Sequence, residues 1–184
     1  MNKNKIDELF NYYVKYGNYD YIGEPVSQVE HMVQAAMLAE KDGQSKDVIL
    51  AALFHDIGHL LQLESKESET MGKYGIKNHE KIGANYLRDC GFKYPIPELV
   101  ENHVKVKKYR TYKNPAYYNQ LSEASKQTLK YQGGPMNSEE ATRFELDPLF
   151  TLSLKIRDYD DSAKMENIKI NSIQYYKNMC LWFF

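Results

Sequence analysis

All five histidines of this 184-residue chain lie between His31 and His103, and two of them bracket the run Ala-Leu-Phe-His55-Asp56-Ile-Gly-His59. A histidine followed directly by an aspartate, inside an apolar helical run and with further histidines on both sides, is how a helical bundle builds a metal site. Imidazole nitrogen combined with carboxylate oxygen suits iron, manganese or zinc. The candidate ligands are His31, His55, Asp56, His79, His103 and a late aspartate. Neighbours on one helix turn diverge by about 100°, so His55 can face one cation while Asp56 bridges to a second and offsets part of their repulsion. Four neutral imidazoles around such a pair suit redox iron, and hydrolysis would need fewer nitrogens. Taken singly, each histidine has a plainer reading, because a lone imidazole beside an apolar face is usually a satisfied core residue.

These side chains must be carried by helices, since the apolar period is helical almost throughout and no stretch alternates long enough for a strand. The expected fold is all-α. A first helix covers about Lys3 to Tyr16, and a loop punctuated by Gly17, Gly23 and Pro25 follows. The next helices run from about Ser27 to Lys41, carrying His31, and from Asp47 to Leu63, the most apolar of all, carrying His55, Asp56 and His59. A charged loop from Glu64 to Gly75 precedes a helix from His79 to Cys90 that Gly91 stops. Pro97 and Glu98 open a helix that contains His103 and runs into the basic stretch Lys105 to Arg110, with Tyr109 to Tyr118 read as loop. Helices from Leu121 to Tyr131 and Ser138 to Arg157 follow, the second bent or split at Asp147 and Pro148. The segment from Met165 to Phe184, with Tyr176 and Trp182 on its stripe, closes the body as a helix.

The length fits a single domain over 1–184. A net charge of −1 gives no electrostatic reason to propose nucleic acid. No apolar stretch approaches the roughly 20 residues that span a bilayer, and the first residues lack a signal-peptide core, so the expected setting is cytoplasmic with no membrane partner. Cys90 and Cys180 are too few for a thiolate cluster and read as reduced thiols. Oligomeric state is not legible.

His31, the LFHDIGHLL run at 53–61 and Asp160 within IRDYDD at 156–161 together resemble the HD-domain superfamily. His79 and His103 extend the pattern to six ligands, which resembles its oxygenase branch, including the inositol oxygenases and the organophosphonate oxygenases. The runs YIGEPV (21–26), NHEKIGA (78–84), VENHV (100–104), LSEAS (121–125) and YQGGP (131–135) are similar to the phosphonate branch, the 2-amino-1-hydroxyethylphosphonate dioxygenase type. The resemblance spans Tyr21 to Lys164.

It implies an HD-domain helical bundle with a mixed-valence Fe2+/Fe3+ pair in its core, a non-haem dioxygenase that uses O2 to break the carbon-phosphorus bond of a 1-hydroxyalkylphosphonate. By family position, His31, His55, Asp56 and Asp160 hold the iron that chelates substrate, and Asp56, His79 and His103 hold the iron where O2 binds. Asp160 stands for the family position, rather than Asp158 or Asp161, because it follows an aromatic residue. Lys107, Ser125 and Arg157 are implied as phosphonate contacts; the lysine lies four residues after His103 and the arginine three before Asp160, so helical spacing alone sets each beside a proposed ligand. His59, one turn after His55, is implied as a hydrogen-bond donor to substrate, against a plain packing role. Tyr21 is implied to occupy the iron before substrate arrives, and Glu24 to receive a substrate ammonium. The first substrate expected is therefore (R)-2-amino-1-hydroxyethylphosphonate, giving glycine and phosphate, with its trimethylammonio analogue and hydroxymethylphosphonate as alternatives. Two other readings stay open: a metal-dependent phosphohydrolase, which would work without O2, and a non-enzymatic metal-dependent sensor.

Overall fold

A computed structural model describes residues 3–21, 23–63 and 69–181. Expectations for Ile22, for 64–68 of the charged loop and for Trp182 at the chain's end lie outside the described residues. Among the described residues there are helices and no strand, only isolated bridges Asp20–Ser27 and Thr70–Ile76.

Helix α1 (Lys3–Tyr16) buries Ile6, Leu9, Phe10 and Tyr13, one stripe at helical spacing. α2 (Gln28–Lys41) starts in a capping box: the Ser27 hydroxyl accepts from the Glu30 amide, and the Glu30 carboxylate accepts from the Ser27 amide at 2.7 Å. α3 (Lys46–Phe54) is buried on every side from Val48 onward, as a helix must be when α2, α6 (Ile96–Lys113) and α10 (Phe150–Ser162) all pack on it. α5 (His79–Cys90) ends at Gly91, whose φ of 95° is the left-handed turn that glycine adopts freely.

Sequence periodicity predicts one helix from Asp47 to Leu63, whereas the chain breaks at His55 and Asp56, and α4 (Ile57–Leu61) resumes beyond them. Asp56 has φ −105° and ψ 10°, outside helical geometry. An unbroken helix would fan the two side chains apart; the kink turns both toward the bundle's axis. α6 also differs from expectation, running to Lys113 through residues read as loop. Tertiary contacts hold its extra turn: Tyr109 packs edge-on to Phe144 and Phe150, and Arg110 reaches the Leu154 carbonyl at 3.1 Å and Asp158 at 2.6 Å. Asn114 then ends α6 and caps α7 (Pro115–Gln120) by accepting from the Ala116 amide at 3.0 Å.

α8 (Glu123–Tyr131) follows a Ser122 cap. The expected split near Asp147 and Pro148 separates α9 (Ser138–Glu145) from α10, with the Asp147 carboxylate taking the Leu149 amide at 2.8 Å. The closing segment is helical only over α11 (Ile173–Cys180), not from Met165. Before it, Met165 is tied to the Gln34 amide in both directions at 2.9 Å and Asn167 takes a left-handed φ of 57°, both incompatible with a running helix. Cys90 and Cys180 are free and buried. No helix among the described residues is long and apolar enough to cross a membrane.

Candidate dinuclear metal centre

Six side chains from five places in the chain meet in the middle of this bundle. α2 supplies His31, the α3–α4 break supplies His55 and Asp56, α5 begins with His79, α6 carries His103 and α10 carries Asp160; all six are buried. Asn78, at φ 58°, makes the left-handed turn that starts α5 with His79 facing inward. Gly58 lets α4 come against that start: a Cβ there would lie 2.0 Å from the His79 carbonyl oxygen.

The donors form two groups that share Asp56. Its Oδ2 lies 3.5 Å from His31 Nε2 and 3.4 Å from His55 Nε2, while Asp160 Oδ1 is 3.4 and 3.8 Å from the same nitrogens. Its Oδ1 lies 3.2 Å from His79 Nε2 and 3.4 Å from His103 Nε2. One carboxylate therefore presents one oxygen to each group, which is the geometry of a bridge.

The imidazole tautomers say what belongs between the donors. Each Nδ1 sits against a backbone carbonyl: His31 on Ala163 at 2.9 Å, His55 on Ala52 at 2.7 Å, His79 on Ile76 at 3.1 Å and His103 on Val100 at 2.6 Å. A carbonyl can only accept, so each Nδ1 carries the proton and each Nε2 of the neutral ring offers a lone pair. The Nε2 atoms of His31 and His55 nevertheless face each other at 3.0 Å, and those of His79 and His103 at 3.2 Å. Facing lone pairs repel, and a cation between them converts repulsion into coordination. Bonds of about 2.1 Å at right angles set neighbouring donors about 3 Å apart, so the spacing fits a metal in each group.

The electrostatics agree. Burial pushes Asp56 up, but His55, His103 and His31 outweigh it and hold the carboxyl well below its usual range. Asp160 is likewise pushed up by burial and held down more strongly by Arg157 and His31. Both remain ionised. Burial lowers His31, yet hydrogen bonds to Asp160 and Asp56 win and raise it to about 9, so the field at this nitrogen favours positive charge.

Beside the two groups opens a cavity of about 160 Å³, which Tyr21, Glu24, His59, Lys107, Ser125 and Arg157 all line. His59 stacks on His79, ring centroids 4.0 Å apart, and its Nδ1 accepts from the Ile76 amide at 3.1 Å. Burial above all holds it neutral, so its proton is on Nε2, a donor and not a ligand. Lys107 is buried and donates to Thr128 Oγ1 at 2.9 Å; burial, then Arg157, lower it to about 7. Tyr21 stacks on His31 at 4.0 Å, and burial, with the Asp56 and Asp160 charges, keeps the phenol protonated. Ser125 lies in the first turn of α8.

Two sequence-selected charged residues are held in ion pairs within the chain. Arg157 gives Nη1 to Asp160 at 2.7 Å, Nη2 to Asp161 at 2.5 Å and Nε to the Tyr117 hydroxyl at 3.0 Å, so it fixes the carboxylate of Asp160 as well as lining the cavity. Glu24 holds the Lys164 ammonium at 2.6 Å.

Sequence reasoning missed Thr128, Gln132, Tyr117, Asp161 and Lys164. Thr128 sits three residues after Ser125 on one helix face, and Asp161 four after Arg157, so helical spacing was a usable signal for both. Gln132, in the YQGGP run, also lines the cavity, and its buried amide has no partner among the described residues. Tyr117 and Lys164 arrive from distant segments and left no local trace.

Comparisons with known proteins follow the same lines. The HD domain family model matches residues 29–142. An uncharacterized protein of Acanthamoeba polyphaga mimivirus is 48% identical over 96% of this chain and 80% of its own. The 1-hydroxy-2-(trimethylamino)ethylphosphonate dioxygenase (glycine-betaine-forming) of Leisingera caerulea is 39% identical over 83% of this chain and 76% of its own. The hydroxymethylphosphonate dioxygenase of Gimesia maris is 35% identical over 94% and 84%.

Proposed function

Because the chain belongs to the HD-domain family of phosphonate oxygenases, we propose that it uses two iron ions, as an Fe2+/Fe3+ pair, and O2 to cleave the carbon-phosphorus bond of a 1-hydroxyalkylphosphonate. The first substrate is (R)-2-amino-1-hydroxyethylphosphonate, which yields glycine and phosphate; the compounds named for the two dioxygenase relatives are its rivals. The observation that carries the reading is Asp56 dividing its oxygens between two imidazole pairs at the wall of a cavity that also holds a buried lysine.

The balance is simple. The C–H and C–P bonds break, one oxygen atom goes to carbon and the other to phosphorus, and O2 takes up the four electrons. His31, His55, Asp56 and Asp160 would hold one ion, and Asp56, His79 and His103 the other. When bound, the pair supplies O2 activation and a Lewis-acid contact for the substrate's oxygens.

The chain's own groups bind and orient. The phosphonate dianion is held by Lys107, whose proton is retained once an anion lies beside it, with Ser125 and Arg157 as further donors. His59 gives its Nε2 proton to a substrate oxygen while the Ile76 amide fixes the other side of the ring. Tyr21 covers the His31 face and shields Asp56 from water until substrate displaces it. Held this way, the carbinol C–H meets the centre in one orientation.

The test is incubation of the iron-loaded protein with each hydroxyphosphonate, with and without O2, measuring released phosphate. Phosphate should appear only with O2. Release under anaerobic conditions, or with manganese or cobalt in place of iron, would identify a hydrolase instead.

A further inference from the structure

Glu24 lines the cavity, yet its carboxylate is taken by a cation of the chain itself. Lys164 Nζ lies 2.6 Å from Glu24 Oε1, with only 19% of the lysine side chain and 9% of the glutamate side chain exposed. Lys164 is not part of the cavity lining, so it reaches Glu24 from behind the wall. Its backbone is held on both sides: the Ala163 carbonyl takes the His31 Nδ1 proton, and Met165 is clamped by the Gln34 amide. The ammonium is thus delivered to one place by the same segment that orients a metal-facing imidazole.

The other acids of the cavity are already committed or peripheral. Asp56 and Asp160 face the imidazoles, and Asp20 is exposed at the rim. Glu24 is therefore the inner carboxylate that a cationic substituent would meet. Such a cation must either displace Nζ or sit beside it, and both reduce its advantage over a neutral substituent.

We infer that Lys164 is a specificity-determining residue, an internal cation that competes for Glu24 and restrains the preference of the cavity for positively charged phosphonates. The inference rests on reading the cavity as a phosphonate site. Its test therefore uses binding without turnover, with 2-aminoethylphosphonate and methylphosphonate, which lack the carbinol hydroxyl. Dissociation constants are measured by calorimetry on the full metal-loaded chain, for the native protein, Lys164→Met and Lys164→Gln.

Both variants should tighten 2-aminoethylphosphonate by about tenfold or more while methylphosphonate changes by less than about threefold. Equal changes for both ligands, or no change for either, overturn the role of Lys164. Should the native protein bind neither ligand, the phosphonate reading of the cavity fails and the inference falls with it. If Lys164→Met unfolds, the more polar Lys164→Gln decides.

Discussion

Replacing Gly58 with alanine should cost the proposed centre one of its two metal-binding groups. The new Cβ would stand 2.0 Å from the His79 carbonyl oxygen, whereas ordinary contact begins at 3.4 Å, so α4 and the start of α5 must part by about 1.4 Å. The listening groups are close: His79 Nε2 is now 3.2 Å from Asp56 Oδ1, and the same movement carries that separation past 4 Å, roughly twice a metal–ligand bond. The other group shares Asp56 with this one, but its remaining donors, on α2, the α3 end and α10, lie outside the α4–α5 contact. Overpacking of this kind costs about 1–3 kcal/mol, and about 2–4 °C of Tm per kcal/mol is expected for a chain of this size. The assay is metal content by elemental analysis after iron loading, beside a melting curve: about one metal per chain instead of two, with Tm lowered by about 2–12 °C. Two tightly held metals and a native Tm in Gly58→Ala would show that the close approach of α4 to α5 does not set the second group.

Two further outcomes follow from the cavity wall. Lys107 is held to about 7 by burial and then by Arg157, so it is charged below that pH and neutral above it. Methylphosphonate should accordingly bind more weakly as pH rises through about 7, by up to tenfold per unit, and Lys107→Met should remove that slope; an identical pH profile in the variant refutes the contact. Asp161→Asn takes away the carboxylate at Arg157 Nη2, leaving the guanidinium that fixes Asp160 less constrained. Affinity for the metal in the His31 group should fall by about 10–100-fold, read by competition with a chelator, and an unchanged affinity would show that Asp160 needs no such support.

The helices with strong local signals were legible. α1 and α5 match their expected limits, because an apolar stripe with loop residues or glycine beyond it is information carried within the element itself. The histidines were legible as a set through their spacing and family likeness, and the structure gathers all of those proposed as ligands, with His59 set apart by the amide on its Nδ1. What the sequence hid depends on distant partners. Nothing near residue 56 says that the helix breaks there, since the break depends on α4 settling against the His79 backbone. The last turn of α6 depends on Phe144, Phe150 and Asp158 in other helices, and the lysine on Glu24 comes from 140 residues away.

Three of the four metal-facing imidazoles are aimed by a carbonyl three positions upstream, at Ala52, Ile76 and Val100. Aim of that kind belongs to the main chain, so it is indifferent to which side chains occupy those positions. The donor directions therefore persist through any substitution there that keeps the core packed and the local backbone path unchanged. His31 is the exception, steered by the Ala163 carbonyl across the fold. Its direction therefore depends on the chain just beyond α10 being docked against α2.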